Sequence, residues 1–260
     1  MDPSSATSAA RFLPKSTEVA NALGPGPLHH VVSTGSTNVD LATQARGGET
    51  SGVVLVADHQ TAGRGRLDRS WDDTAGDGLL VSVRIPTTEL DAAGAVRALG
   101  AAARAAVDEL CRDVVLAKWP NDLVVIDGPH PGKLSGVLAE LVGGDHPAVV
   151  IGIGINIRPI ERQPGATSLV ECGGPDDRDA VLAGLLRELA PRLLDGSGVV
   201  DVLRTYSATL GSLVRAELPG GERIIGRAVD LTDAGELELE VDGGRRHTVA
   251  AGDVVHLRPA

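Results

Sequence analysis

The chain has 260 residues, and at about 150 residues per domain this length fits one large domain or one large domain plus a small one. Hydrophobic residues make up 42%, too many for a disordered chain, yet no apolar run reaches the about 20 residues of a membrane helix or resembles a signal peptide. A net charge of −11 argues against broad nucleic-acid binding, and two cysteines far apart in sequence make neither a disulfide framework nor a zinc cluster. The expectation is a cytoplasmic protein that engages no nucleic acid and no membrane.

Residues 1–27 are rich in Ser, Ala, Pro and Gly, end in the breaker cluster Gly24–Pro27, and read as a mobile tail. The tail is too short and irregular for a winged helix-turn-helix. Leu28–Val32 reads as a strand, and Thr37 as the cap of a helix over 38–46, with Asp40 as its capping-box partner. Gly52–Ala57 is an apolar strand, residues 58–78 a long polar, basic and Gly-rich loop, and Leu79–Ile85 a second strand. Val96, Leu99, Ala103, Val107 and Leu110 recur by threes and fours, which predicts a helix over Asp91–Leu110. Strands are predicted over Leu116–Trp119, Leu123–Ile126, Leu134–Leu141 and Val149–Ile155, then helices over 178–194 and 199–209. From Gly211 the period becomes two, with Leu237, Leu239 and Val241 alternating with glutamates between turn signals. Four or five short strands there suggest a small β-barrel. The division is a tail over 1–27, a main domain over 28–210 and a small domain over 211–260.

The scarce residues mark the chemistry. There are three lysines against 21 arginines, and four asparagines. A compact ammonium does what a planar guanidinium does not, so Lys118 and Lys133 stand out. The loop Asp58–Trp71 carries Arg64, Arg66 and Arg69 beside Gly63 and Gly65, which suits wrapping of a phosphate or carboxylate; the bland alternative is a solvated basic loop. Lys118-Trp119-Pro120-Asn121-Asp122 projects polar groups from an extended corner, or is a turn with a Trp anchor. Lys133 opens an apolar strand that is expected to pair with the Lys118 segment as a hairpin. Gly152 and Gly154 leave one strand face flat, for a ring or for another backbone, and Asn156 ends that strand. Ser36-Thr37-Asn38 caps a helix or grips a small polar group such as a urea.

Taken together, Ser36-Thr37-Asn38, Gln60–Arg66, Lys118–Asp122, Gly132–Leu138 and Gly152–Asn156 resemble, in this order, the biotin–protein ligases. The resemblance covers about residues 28–258, and its most specific pieces are the Gly63–Arg66 and Lys118–Asp122 runs. Two departures are Asp68, where members often have Gly, and Asp58, where they often have Glu; Asp68 is expected to slow or reshape loop closure. The DNA-binding N-terminal domain of repressor-type members is not expected here.

The resemblance implies an α+β fold, a mixed or antiparallel sheet packed with helices as in class II aminoacyl-tRNA synthetases, followed by a Src-homology-3-like C-terminal barrel. It implies ATP-dependent formation of biotinyl-5′-AMP, with Mg2+ as the usual metal, and transfer of biotin to a lysine of a biotin carboxyl carrier domain. Lys133, Arg64 and Arg66 would be catalytic. Ser36, Thr37, Asn38, Gln60, Gly63, Arg64, Gly65, Lys133, Gly136, Leu138, Gly152 and Gly154 would bind biotin. Arg64, Arg66, Trp71, Lys118, Asn121, Lys133 and Asn156 would bind ATP and the adenylate, and Asp122 would help hold the metal or organise phosphate. The implied assembly is a monomer or weak homodimer. The enzymatic rival is a lipoate or octanoyl ligase; a DNA-binding biotin sensor and a non-catalytic interaction module are rivals from different classes. The adenylate is an activated ester, so residues 60–72 are expected to be mobile when empty and to fold over it.

Overall fold

The computed structural model describes residues 11–256 except 24–25, 68, 87–90, 161–162 and 197, together with residues 4 and 8. In chain order the first elements are α1 (Pro14–Leu23), β1 (Leu28–Val31), α2 (Thr37–Arg46), β2 (Val53–Ala57), β3 (Gly78–Pro86) and α3 (Ala92–Asp108). Then come β4 (Leu116–Lys118), β5 (Asp122–Val125), β6 (Gly132–Val142), β7 (Ala148–Asn156), α4 (Arg178–Asp195) and α5 (Val199–Thr205). The C-terminal strands are β8 (Leu213–Glu217), β9 (Arg223–Leu231), β10 (Leu237–Val241), β11 (Arg245–Val249) and β12 (Asp253–His256).

The first seven strands form one sheet in the order β1-β2-β3-β7-β6-β5-β4, with β1 and β2 parallel and every other pair antiparallel. β2 shows why the sheet sits between layers. All five of its residues are buried: Val54 and Val56 join the core that includes α3 and α4, and Val53 and Leu55 join the smaller core under α2. A strand covered on both faces loses the polar alternation of a half-exposed strand. The alanine-rich face of α3 lies on the sheet, and Asp91 caps the helix by accepting the Gly94 N–H.

Several expectations change. Residues 14–23, read as part of a mobile tail, form α1, which packs on α4. The Asp179 carboxylate explains it, accepting the Lys15 and Ser16 N–H groups at 3.0 and 2.8 Å and the hydroxyl of the fully buried Ser16 at 2.6 Å. A carboxylate from a distant helix thus satisfies first-turn donors that the local sequence leaves open. At α2 the cap position belongs to Ser36, with no side-chain cap bond, and Thr37 is already helical. The Asp40 carboxylate takes the Thr34 hydroxyl instead of closing a capping box. The Lys118 and Lys133 segments meet as expected at the Asn121–Asp122 end, where β5 pairs antiparallel with β6 and the Val137 N–H donates to the Asn121 carbonyl, while Lys118 itself lies on β4, on the other side of β5. The last main-domain helix stops at Thr205, because Ala117 pulls the next residues extended, donating to the Tyr206 carbonyl and accepting from the Ala208 N–H.

The C-terminal strands make a second antiparallel sheet, β11-β10-β9-β8-β12, in keeping with the small all-strand unit that the sequence pattern predicts. Leu237 and Leu239 turn into its own core with Val214, Ala216 and Ala228. Trp119 packs against that core and its indole N–H donates to the Gly235 carbonyl at 3.2 Å, so the Trp-Pro corner joins the two sheets. Among the described residues no helix is long and apolar enough to cross a membrane. Asp179→Ala is expected to lower unfolding free energy by about 2 kcal/mol, measured by urea denaturation, since it strands buried donors of α1.

Candidate functional site

The site begins with the two faces of β7. Val149, Ile151, Ile153 and Ile155 point into the large core, while Ala148 and Val150 pack beneath α2. The second face continues past the start of α2 as Gly152 and Gly154. Register places Gly154 opposite Gly136 of β6, and Gly152 between Leu138 of β6 and Ser82 of β3. The middle of the sheet is therefore bare of side chains over two neighbouring strands.

Two groups cover the bare patch. A Cβ on Gly154 would stand 2.3 Å from Cε2 of Trp71, and one on Gly136 would stand 3.2 Å from Cζ3 of the same ring. The Trp71 indole thus lies directly on the paired glycines. Over Gly152 a Cβ would meet the Asn38 Oδ1 at 2.1 Å, so this glycine is covered by the Asn38 amide, a correction to the flat open wall expected there.

Asn38 belongs to a buried polar network at the start of α2. The Thr37 N–H donates to the Gln60 Oε1 at 2.8 Å, and the Thr37 hydroxyl lies 2.7 Å from that of Ser82. The Ser82 hydroxyl donates to the Asn38 Oδ1 at 2.6 Å, and the Asn38 amide donates to Glu140 at 3.3 Å. With its oxygen held by Thr37, Gln60 keeps its Nε2 donor without a protein acceptor among the described residues. Ser36, Thr37, Gln60, Arg64, Trp71 and Leu138 all line one small hollow. Ser82 was missed by sequence reasoning, although a lone hydroxyl inside the apolar run Leu79–Ile85 was its visible signal.

The loop that carries Trp71 folds back on itself as a ribbon through its own backbone bonds. The Trp71 N–H donates to the Gly63 carbonyl at 3.0 Å and the Gly65 N–H to the Arg69 carbonyl at 2.7 Å. A Cβ on Gly63 would stand 2.4 Å from the Trp71 carbonyl oxygen, so the crossing requires glycine. Asp73 closes the base, accepting from His59 Nδ1 at 3.0 Å and from the Gln60 N–H at 3.4 Å. Asp68 lies outside the described residues.

The ribbon sends its arginines to different places. Arg64 faces the hollow below Trp71, whereas Arg66 reaches the C-terminal sheet. Arg66 donates to the Gly252 carbonyl at 2.7 Å and to Asn121 Oδ1 at 3.3 Å, while Asn121 donates its own amide to the Val137 carbonyl at 2.7 Å. Burial lowers the Arg66 pKa from the usual arginine value, and the charges of Asp253 and Asp122 oppose that shift. Arg69 forms an ion pair with Asp253. Arg66 also lines a cavity of about 330 Å3 between the two sheets, which shares Leu138 with the hollow below Trp71.

Lys133 reaches the site through an irregularity in pairing. The β5–β6 register slips between Leu123 and Val124, opposite Lys133–Ser135. Strict alternation would put Lys133 on the face of Ser135 and Val137; instead its ammonium would lie 3.1 Å from a Cβ on Gly136. It stands 5.7 Å from the Trp71 ring centroid and 2.8 Å from Asp122 Oδ1, a buried oxygen that the ammonium balances. Lys133, Trp71, Asn156, Gln163, Gly165 and Ala166 line a hollow of about 90 Å3. Asn156 braces it, donating to the Lys133 and Thr167 carbonyls at 3.2 and 2.9 Å.

Lys118 lines a small cavity at the Trp119 corner, which shares Val96, Arg97, Trp119, Pro120 and Asn121 with the cavity between the two sheets. Asp122 is the counter-ion of Lys133, and among the described residues no group of three His, Cys, Asp or Glu stands together as a ligand set. Two hollows that share the Trp71 indole, one with an uncommitted amide donor and the other with an ammonium, suit a small acid with a polar head.

The comparisons with known proteins agree. A model described as the Biotin/lipoate A/B protein ligase family matches residues 33–156, and one described as the Biotin protein ligase C terminal domain matches residues 209–257. The Biotin--[acetyl-CoA-carboxylase] ligase of Mycobacterium tuberculosis is 42% identical, over 88% of this chain and 88% of that protein. The enzyme of the same name from Paracoccus denitrificans is 31% identical, over 84% of this chain and 96% of its own. The structure is similar to a biotin protein ligase from Aquifex aeolicus in complex with biotin and ATP, with a TM-score of 0.74 and 27% identity, over 89% of this chain and 99% of that one. The chain belongs to the biotin/lipoate protein ligase family.

Gly154→Ala is expected to drive the Trp71 ring off the sheet at a cost of about 1–3 kcal/mol in overpacking. Tryptophan emission of the folded variant should shift to the red, and biotin affinity measured by calorimetry should fall at least tenfold. An unchanged spectrum with wild-type affinity would show that the ring does not rest on this glycine.

Proposed function

We propose that this chain activates biotin with ATP as biotinyl-5′-AMP and transfers it to a lysine of a biotin-dependent carboxylase such as acetyl-CoA carboxylase, with the biotin carboxyl carrier domain as the acceptor. The observation that carries the reading is the pairing of unlike groups about one indole: Gln60, whose Nε2 has no protein acceptor among the described residues, and the Lys133 ammonium line two hollows that share Trp71. The names of its relatives support the same chemistry.

Biotin carboxylate and the ATP α-phosphate are both anionic, so their approach is opposed by charge. A preorganised cation lowers that barrier without rearranging during the reaction. Lys133 supplies it, and Asp122 holds the ammonium in place until substrate arrives. Gln60, Ser36 and Thr37 bind the ureido head, and Asn38 keeps Thr37 oriented through Ser82. Gly136, Leu138, Gly152 and Gly154 shape the wall, while Gly63 and Gly65 let the ribbon close near the ligand. Arg64 covers the acid end of biotin. Arg66, Asn121 and Asn156 serve the nucleotide side, and Trp71 shields the anhydride from water. ATP brings Mg2+ as its usual partner. A cytoplasmic monomer or weak homodimer completes the proposal.

Incubation of the chain with labelled biotin, ATP, Mg2+ and a biotin carrier domain should label the carrier; an unlabelled carrier would reject the reading. Calorimetry should find biotin bound and lipoate not, because lipoate lacks the ureido partner for Gln60. Lys133→Ala is expected to lower biotin-dependent ATP–pyrophosphate exchange by about 10²–10³-fold while biotin affinity changes far less. Normal exchange would remove Lys133 from the mechanism. Arg64→Gly should release the adenylate early, seen as biotin on unrelated proteins; tight retention would count against its covering role.

A further inference from the structure

The two cysteines, far apart in sequence, are brought together by the fold. Cys111 lies just past the C-terminus of α3, partly exposed, and its N–H donates to the Val107 carbonyl at 2.8 Å. Cys172 is 1% exposed and belongs to the large core. The Cys172 carbonyl accepts the Arg112 N–H at 2.9 Å and the Asp113 N–H at 3.4 Å, so the two cysteine segments are bonded backbone to backbone. A Cβ on Gly173 would stand 2.9 Å from the Arg112 Cδ, which packs the same contact from its other side. Both residues are free thiols, and the two thiols are hydrogen-bonded to each other. Residues joined this closely are within reach of a disulfide, which needs Cα atoms about 4.4–6.8 Å apart.

The segment that ends in Cys172 is also a strap behind Lys133. The Lys133 N–H donates to the Gly165 carbonyl at 2.8 Å, the Thr167 N–H to the Lys133 carbonyl at 3.0 Å, and the Leu169 N–H to the Asn156 carbonyl at 2.8 Å. The Thr167 hydroxyl lies 3.7 Å from the Cys172 sulfur, and the Cys172 N–H donates to the Ser168 carbonyl at 3.1 Å. Few bonds therefore separate Cys172 from the backbone that carries the ammonium.

We propose that Cys111 and Cys172 are a dithiol that hydrogen peroxide converts reversibly to a disulfide, and that this bond slows adenylation by drawing the strap toward α3 and away from Lys133. The effect on adenylation rests on the ligase reading; the disulfide does not. The hydrogen bond from Cys111, with help from the Thr167 hydroxyl, lowers the Cys172 pKa, while burial and the charges of Asp113 and Glu171 oppose it. The same thiol pairing, and then burial, raises the Cys111 pKa. The pair thus gives up one proton readily and holds the second, which supplies the thiolate that peroxide chemistry needs. The thiolate attacks one peroxide oxygen, the O–O bond breaks, and hydroxide leaves and takes a proton to become water. The second sulfur then attacks the sulfenic sulfur, the S–O bond breaks, and the hydroxyl departs with the remaining thiol proton as a second water. The two thiols are oxidised by two electrons and the peroxide is reduced by two. Exchange with an added dithiol reverses the bond.

The test treats the intact chain with hydrogen peroxide, removes the oxidant, alkylates remaining thiols and maps them by mass spectrometry. The expected product has lost two hydrogens, takes up no alkylating agent and yields one peptide pair joined through Cys111 and Cys172. Biotin-dependent ATP–pyrophosphate exchange of that product should fall about tenfold and return with dithiothreitol, since displacement by about 1 Å is enough to misplace a catalytic group. Cys111→Ser should keep wild-type exchange before and after peroxide, and Cys172→Ala should behave in the same way. Two alkylated cysteines after treatment, or cysteines that only gain oxygen, would overturn the disulfide. Equal inhibition of wild type, Cys111→Ser and Cys172→Ala, or undiminished exchange in the cross-linked chain, would overturn its effect on Lys133. Absence of exchange in the untreated chain rejects the ligase reading and with it the effect on adenylation, and the thiol map still decides the disulfide.

Discussion

An indole laid on two cross-strand glycines organises this molecule. Gly136 and Gly154 face each other on adjacent strands, and only the absence of both Cβ atoms lets Trp71 lie against the sheet. The ring then borders two hollows at once, one polar through Gln60 and Thr37, the other cationic through Lys133. The ribbon must cross itself at Gly63 to deliver the ring, and Asp73 must pin the ribbon's base. Local backbone choices thus set the separation between two chemically different sites.

Charge is handled by rationing. The chain is acidic overall, yet the cations near the site are either held by one carboxylate, as Lys133 is by Asp122, or left on neutral oxygens, as Arg66 is. A buried cation on neutral acceptors keeps its field for a ligand, whereas a fully paired one does not. Placing Arg66 this way takes both sheets, because Asn121 leads into β5 of the first and Gly252 into β12 of the second. The C-terminal sheet therefore completes a wall of the site, and Trp119 is the plug that keeps it in register with the main domain.

Much of this was legible in the residues. The long helix over α3, the alternation in β10 and the run of apolar β7 follow directly from hydrophobic period. Of the scarce lysines and the alternate glycines, Lys133 and Gly154 lie in segments that the fold brings beside Trp71. Three things were not legible. α1 forms because Asp179, more than 160 residues away, satisfies its first turn, and no local pattern reports that partner. Ser82 sits mid-strand, and its value appears only when β3 lies beside β7 and α2. Lys118 looked equivalent to Lys133, yet the fold sets it in the lining at the Trp119 corner and Lys133 beside Trp71.

The amino-acid sequence by itself determined which side chains are available: an ammonium, an indole, two amides and a stretch of backbone stripped of Cβ atoms. Tertiary structure decided which of them meet. A single slip in the β5–β6 register turns Lys133 from the core face to the face of Trp71, and a strand's period of two makes any such slip all-or-none. Pairing register is a property of two strands together, so neither strand's residues carry it alone.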